Sequence, residues 1–191
     1  MEEAGHPNGE GIPTLKLEFN KGTIHSLVAS DVATQLAKVL NINIEIEGVP
    51  FKQKLEDASY GRSDIFRSAW AGDYPSPETF LMNAYGENVP DDPTAYSYPN
   101  TSRYKNPSFD ALMDKAAVTK DKEERYRLFA DAEKLMMEDA PFVILWYEEK
   151  FKLKYAKLRN FYYNPLNYLD LTPVYIKEWT GQEYKELHGI E

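Results

Sequence analysis

Leu15, Leu17 and Phe19 alternate with Lys16 and Glu18, a period of two that predicts a half-buried strand. From 24 to 40 the apolar residues Ile24, Leu27, Val28, Val32, Leu36, Val39 and Leu40 recur at helical spacing. Ile42, Ile44 and Ile46 then alternate with Asn43 and Glu45, predicting a second strand ahead of a turn at Gly48 to Pro50. Strand, helix and strand in that order make a βαβ unit, whose crossover is expected to be right-handed. A short helix over 51–59 and a third strand from Ile65 to Trp70 complete the pattern. The first 70 residues thus read as an α/β layer with strands side by side.

Further on, Ser76 followed by Pro77 is a helix-start signal for a helix reaching about Tyr85. The Pro-, Asp-, Asn- and Tyr-rich stretch over 86–102 reads as a long ordered loop. Asn106 and Pro107 repeat the start signal ahead of Phe109, Leu112, Met113 and Ala116. Asp121 with Glu124 opens a longer helix in which Phe129, Ala132, Leu135 and Met136 share a face, and Pro141 ends it. The continuous apolar run from Phe142 to Tyr147 predicts a buried strand of the kind that crosses between lobes. Lys150, Lys152, Lys154, Lys157 and Arg159 alternate with Phe151, Leu153 and Tyr155, as on the solvated face of a strand. Composition turns aromatic near residue 150, without helical period, which divides the chain into an α/β ligand-binding portion, 1–150, and a return segment, 151–191, in another layer or lobe.

Composition narrows the function classes. At 191 residues with 42% hydrophobic content the chain can bury a real core. A formal net charge of −9 argues against a surface that tracks nucleic-acid phosphates. The absence of cysteine removes disulfides, thiolate catalysis and cysteine metal sites together. His6, His25 and His188 have no metal-ligand spacing, so no metal or other cofactor is expected. No window approaches the roughly 20 apolar residues of a membrane span, and no leader pattern is present. The opening M-E-E-A-G-H-P-N-G-E-G reads as the end of a helix entering a turn, which suggests a fragment of a longer protein.

The chemistry concentrates between Ser63 and Leu81. A strand there ends in an aromatic, a glycine and a carboxylate, with a helix starting a few residues later. Asp73, between Trp70 and Tyr74, is placed to receive a ligand's ammonium group while the Trp70 indole covers its apolar part. The local pattern alone equally allows Asp73 as a turn residue and Trp70 as core. Arg67 lies six residues before Asp73 among apolar neighbours and could clamp a carboxylate. Asp91 and Asp92 read as a solvated turn. No phosphate loop, nucleophile elbow or nucleophile and base pair is visible, so the segment reads as a binding site and the chain as no enzyme.

Four pieces, in order, resemble the C-terminal part of the extracytoplasmic solute-binding proteins of peptide ABC transporters, the dipeptide and oligopeptide family, family 5. They are the opening E-A-G-H-P-N-G-E-G; W-A-G-D-Y-P-S-P-E-T-F-L; Y-K-N-P-S-F-D-A-L-M-D-K-A; and D-K-E-E-R-Y-R-L-F-A-D-A-E-K-L-M-M-E-D-A-P with the aromatic run after it. The resemblance implies an α/β lobe of a type II periplasmic-binding fold, a mixed sheet flanked by helices, in a larger two-lobed protein. It implies a ligand site in which the residue at Asp73 pairs with a peptide's α-amino group and that at Trp70 lines the pocket. An arginine at the position of Arg67 meets the ligand carboxylate in some members. The expected partners are a peptide or other small solute and a membrane permease, and the expected place is outside the cytoplasmic membrane, periplasmic or lipid-anchored. The family's export signal and N-terminal lobes have no counterpart here, which leaves half the cleft unbuilt. Alternatives are another ligand in the same family, such as an oligosaccharide, a glycopeptide or a metal chelate, and, from another class, a carboxylate-dependent hydrolase. The hydrolase would need a second acid within about 5 to 10 Å.

Overall fold

The computed structural model describes residues 1–149, 151–164, 166 and 168–189. They divide into two compact units, Met1–Val143 and Ile144–Glu191.

In the first unit, strand β1 (Leu15–Asn20) leads into helix α1 (Thr23–Leu40), strand β2 (Ile44–Val49), helix α2 (Phe51–Tyr60) and the short strand β3 (Ile65–Phe66). The sheet is parallel in the order β2-β1-β3, with Leu15 opposite Ile44 and Leu17 opposite both Ile46 and Ile65. Alternation along β1 sends Leu17 and Phe19 into a cluster with Ala29 of α1, flanked by Val32, Ile44 and Ile65. Asn41, in the left-handed conformation at φ 54, ends α1, and its Nδ2 donates to the Asn8 carbonyl. Gly9, at φ 79, lies so close that a Cβ there would strike the Asn41 carbonyl, so only glycine fits.

The third strand is shorter than its pattern predicts. Only Ile65 and Phe66 pair with β1, and Arg67 to Trp70 leave the sheet without regular structure after the Arg67 amide donates to the Glu18 carbonyl.

Helix α3 (Glu78–Leu81) and two 3-10 turns, Met82–Ala84 and Gly86–Asn88, occupy the region read as one helix. Helices α4 (Pro107–Val118) and α5 (Lys122–Asp139) form a hairpin. Both are capped as their sequences indicate: Asn106 Oδ1 accepts from the Ser108 and Phe109 amides, and Asp121 Oδ1 from the Glu124 amide. Phe109, Met113 and Ala116 meet Leu128, Phe129, Ala132 and Met136 in the larger core, with Leu81 and Ala84 closing it.

The loop between these layers is ordered by buried polar groups. Asn100, fully buried, donates from Nδ2 to the carbonyls of Tyr85 (3.0 Å) and Tyr104 (2.8 Å) and accepts from the Ser102 hydroxyl (2.9 Å). Arg103 Nη2 donates to the Ser59 and Ala95 carbonyls, and the Ser97 amide also donates to Ser59, which joins the loop to the end of α2. Asp92 receives the amide and hydroxyl of Thr94, the solvated turn its sequence indicates.

The apolar run Phe142 to Tyr147 forms no strand, and Val143 to Tyr147 are exposed. An apolar run becomes a strand only with a partner for its backbone, and none pairs with it among the described residues. The alternating basic stretch likewise stays outside regular structure until Leu158; Lys150 lies outside the described residues. In the second unit, β4 (Leu158–Arg159) pairs antiparallel with β5 (Tyr175–Ile176), and α6 (Gly181–His188) starts at a Thr180–Glu183 capping box. Lys177, hydrogen-bonded to Glu183, helps pull that carboxyl down to about 2. Among the described residues no helix is long and apolar enough to cross a membrane.

Candidate functional site

Parallel strands put their carboxyl ends on one edge of the sheet, where open α/β folds place ligands. Two groups of residues emerge there. The segment Arg67 to Tyr74 leaves β3 directly, and the first turn of α2, Phe51 to Lys54, follows β2.

All four residues singled out in the sequence, Arg67, Trp70, Asp73 and Tyr74, lie on that one segment. Arg67 is half-buried and Asp73 exposed. The Asp73 amide donates to Thr79 Oγ1 at 3.1 Å, which ties the acid to the start of α3. Tyr74 is also exposed; burial of its hydroxyl comes first, with the Glu78 charge and hydrogen bond next, in pushing its pKa above the usual tyrosine value.

Trp70 is half-buried and packs on Tyr98 with ring centroids 6.1 Å apart. Its Nε1 is buried with no hydrogen-bond partner among the described residues. Tyr98 continues to Tyr96 at 6.3 Å and Tyr96 to Tyr60 at 5.6 Å, a row of rings carried by the loop that Asn100 and Arg103 order. Nothing in the local sequence brings Tyr98 to Trp70; the tyrosine lies 28 positions on, inside a stretch legible only as a loop.

Beneath the segment, on the α2 side of the sheet, sits a charged cluster. Glu18 is 1% exposed, with Oε2 accepting from Ser63 Oγ at 2.9 Å and Oε1 without a hydrogen-bond partner among the described residues. Burial pushes its carboxyl above the usual glutamate value, against the opposing Ser63 hydrogen bond. Lys54, 5% exposed, donates from Nζ to Ser68 Oγ at 2.8 Å. Burial lowers its pKa, Arg67 acts in the same direction, and Glu18 opposes them. Asp57 pairs with Arg62 at 2.9 Å, and that hydrogen bond, ahead of opposing desolvation, holds the Asp57 carboxyl below its usual range. Sequence reading passed over Lys54 because it sits in a helix with Lys52 and Gln53, where a lysine ordinarily faces water.

Such an edge can bind: an exposed acid, a half-buried indole and a half-buried guanidinium lie on one segment, with a buried ammonium in the first turn of α2. Among the described residues no group of three or more histidines and acids is arranged to hold a metal ion.

Comparison with known proteins bears on this arrangement. Residues 1–92 match the model of the bacterial extracellular solute-binding proteins, family 5 Middle. The periplasmic oligopeptide-binding protein OppA of Salmonella typhimurium is 30% identical over 147 residues, covering 77% of this chain and 25% of that protein. A crystal structure of a periplasmic oligopeptide-binding protein from Borrelia burgdorferi superposes with a TM-score of 0.63 at 30% identity, over 73% of this chain and 27% of the other. Haemophilus influenzae OppA, solved in complex with RPPGFSPFR, superposes at 0.61 with 25% identity, over 72% and 25%. The chain spans about a quarter of the length of the curated relatives it matches. The α/β lobe implied by the sequence resemblance is therefore the fold observed, that of periplasmic binding proteins, and the chain belongs to the family 5 bacterial extracellular solute-binding proteins.

Proposed function

We propose that this chain supplies one wall of the ligand cleft in a protein that captures peptides outside the cytoplasmic membrane and delivers them to an ABC permease. The observation that carries the reading is the segment from Arg67 to Tyr74, which leaves the carboxyl edge of the sheet with a half-buried indole and an exposed carboxylate three residues apart. Asp73 receives the peptide's α-ammonium, a charge-assisted hydrogen bond in a site that closure desolvates. Trp70, backed by Tyr98, covers the adjoining apolar part of the ligand. Arg67 meets a carboxylate, and Tyr74, anchored through Glu78, borders the ammonium site. The chain acts by binding and performs no catalysis. The mature protein resides in the periplasm or is lipid-anchored at the cell surface. Affinity arises from enclosing the ligand between two walls, the second supplied by another part of the same polypeptide. In the same reading, residues 1–150 form the ligand-binding lobe, and 151–191 return to the other lobe.

The test is native purification of the complete gene product, mass spectrometry of the solute released on denaturation, and thermal-shift titration with peptides, oligosaccharides and metal chelates. Peptide in the released fraction, with peptides alone raising Tm, is the expected outcome. Stabilisation by oligosaccharides or chelates in place of peptides would refute the assignment.

A further inference from the structure

Strand β3 stops pairing before its neighbour ends. In the register that sets Phe66 opposite Glu18, the next bond would run from the Asn20 amide to the Arg67 carbonyl, and it is not made although β1 extends to Asn20. What holds the chain at that point is Lys54, whose Nζ donates at 2.8 Å to Ser68 Oγ, on the first residue past the last sheet bond. Lys54 stands in the first turn of α2, a helix whose Asp57, Ala58 and Ser59 are buried, so the ammonium reaches Ser68 from a fixed element. A buried ammonium with no carboxylate beside it weakens a fold, because its lost hydration goes uncompensated. Among the described residues no carboxylate lies within 4.0 Å of Lys54; Glu18 acts on it only through its charge, from beyond that distance, and Arg67 repels it. Fold stability therefore does not account for a lysine here. The hydrogen bond it makes leads instead into the segment that carries Trp70 and Asp73.

We propose that Lys54 is a positioning residue: by holding Ser68 it draws the chain off the sheet toward α2 and so aims Trp70 and Asp73 at the ligand. The inference rests on the reading that Asp73 receives a peptide ammonium, and it deepens that reading by naming the residue that sets the acid's place. At the far end of the segment the Asp73 amide bonds to Thr79 Oγ1 at 3.1 Å. Ala69 to Gly72 thus connect two fixed points without regular structure of their own, and the indole and the carboxylate keep one spacing. With the hold on Ser68 gone, pairing has the Asn20 amide to run on to, which would carry Trp70 along the sheet and out of place. Lys54 acts through Ser68 and needs no contact with the ligand.

Isothermal titration and thermal unfolding of the complete gene product test this with probes that carry no carboxylate, trialanine amide and N-acetyl-trialanine amide. Wild type is expected to bind the free amine about tenfold to a hundredfold more tightly than the acetylated form, the range of a charge-assisted pair. Lys54→Met should cut that preference at least about threefold while Tm stays level or rises, because methionine fills the space without a buried charge. Ser68→Ala should cut it as well, and Ser68→Thr, which keeps the hydroxyl on an exposed residue, should retain it. The double variant Lys54→Met with Ser68→Ala should lose no more than about twofold beyond either single one, since both remove the same bond. Should Lys54→Met fail to fold, Ser68→Ala against Ser68→Thr decides by the same margin. A preference within about twofold of wild type in Lys54→Met, or in Ser68→Ala where that variant stands in, overturns the positioning role and leaves peptide capture standing; a fall in Tm alongside would make Lys54 a structural residue only. Additive losses in the double variant overturn the role too, because the two residues would then act separately. Equal binding of the two probes by wild type, or binding of neither, overturns both this role and the ammonium site.

Discussion

Replacing Asn100 with alanine tests whether the loop behind Trp70 is held by buried polar contacts. Its Nδ2 supplies hydrogens to the Tyr85 and Tyr104 carbonyls, its Oδ1 accepts from Ser102, and the side chain is fully buried. Alanine leaves two carbonyls without their donor at about 1 to 3 kcal/mol each, partly recovered where water enters, so the expected loss is roughly 2 to 4 kcal/mol. Asn100→Asp should lose at least as much, because a carboxylate would face both carbonyls and donate to neither. Ser102→Ala removes a hydroxyl that donates to Asn100 Oδ1 and accepts from the Tyr104 amide; with one buried oxygen left without its donor it should cost about 1 to 2 kcal/mol, less than Asn100→Ala. Urea denaturation with linear extrapolation measures all three. The near-UV circular dichroism of Asn100→Ala should also change, because the loop carries Tyr98 against Trp70. An Asn100→Ala variant within about 1 kcal/mol of wild type, with unaltered near-UV signal, would refute the argument.

Two further outcomes follow from the same contacts. Trp70→Ala should cost about 1 to 2 kcal/mol, chiefly its contact with Tyr98, and not the 3 to 5 kcal/mol of a core tryptophan, while peptide affinity of the complete protein falls; a large drop in melting temperature with unchanged affinity would make Trp70 a core residue. Glu18 binds its proton more tightly folded than unfolded, so wild type is penalised progressively as pH rises above the unfolded glutamate range, fully so above the raised folded value. Glu18→Gln escapes that penalty and should gain in Tm relative to wild type between about pH 4 and pH 7; a variant that loses ground over that interval would contradict the burial argument.

The parts of this molecule that local chemistry determines were legible in its sequence. Alternation fixed β1 and β2, and Asn106 and Asp121 marked helix starts that their side chains do cap. What depended on distant partners was not. Ile65 to Trp70 reads as one strand, yet pairing stops at Phe66 although β1 runs on to Asn20, because the chain leaves the sheet after Arg67 donates to the Glu18 carbonyl. Phe142 to Tyr147 carries the composition of a buried strand and stands exposed, since composition supplies no neighbour for the backbone. The loop over 86–102 was recognisable, whereas its attachment through Arg103 to the Ser59 carbonyl, 44 positions earlier, left no local trace. In the candidate site the same division holds. Asp73 and Trp70 stand out as a strand-end pattern, whereas Tyr98 and Lys54 acquire their places from the approach of segments the sequence does not connect.

The central claim is that Asp73 receives a peptide ammonium, and calorimetry with free and N-acetylated forms of one peptide tests it most directly in the complete gene product. A charge-assisted hydrogen bond in a closed cleft contributes roughly 1.5 to 3 kcal/mol, so Asp73→Asn should weaken binding of the free peptide about ten- to a hundredfold. Acetylation should weaken binding to wild type by a similar factor and add little in the variant. Equal affinities of wild type for the free and acetylated peptides would contradict the account.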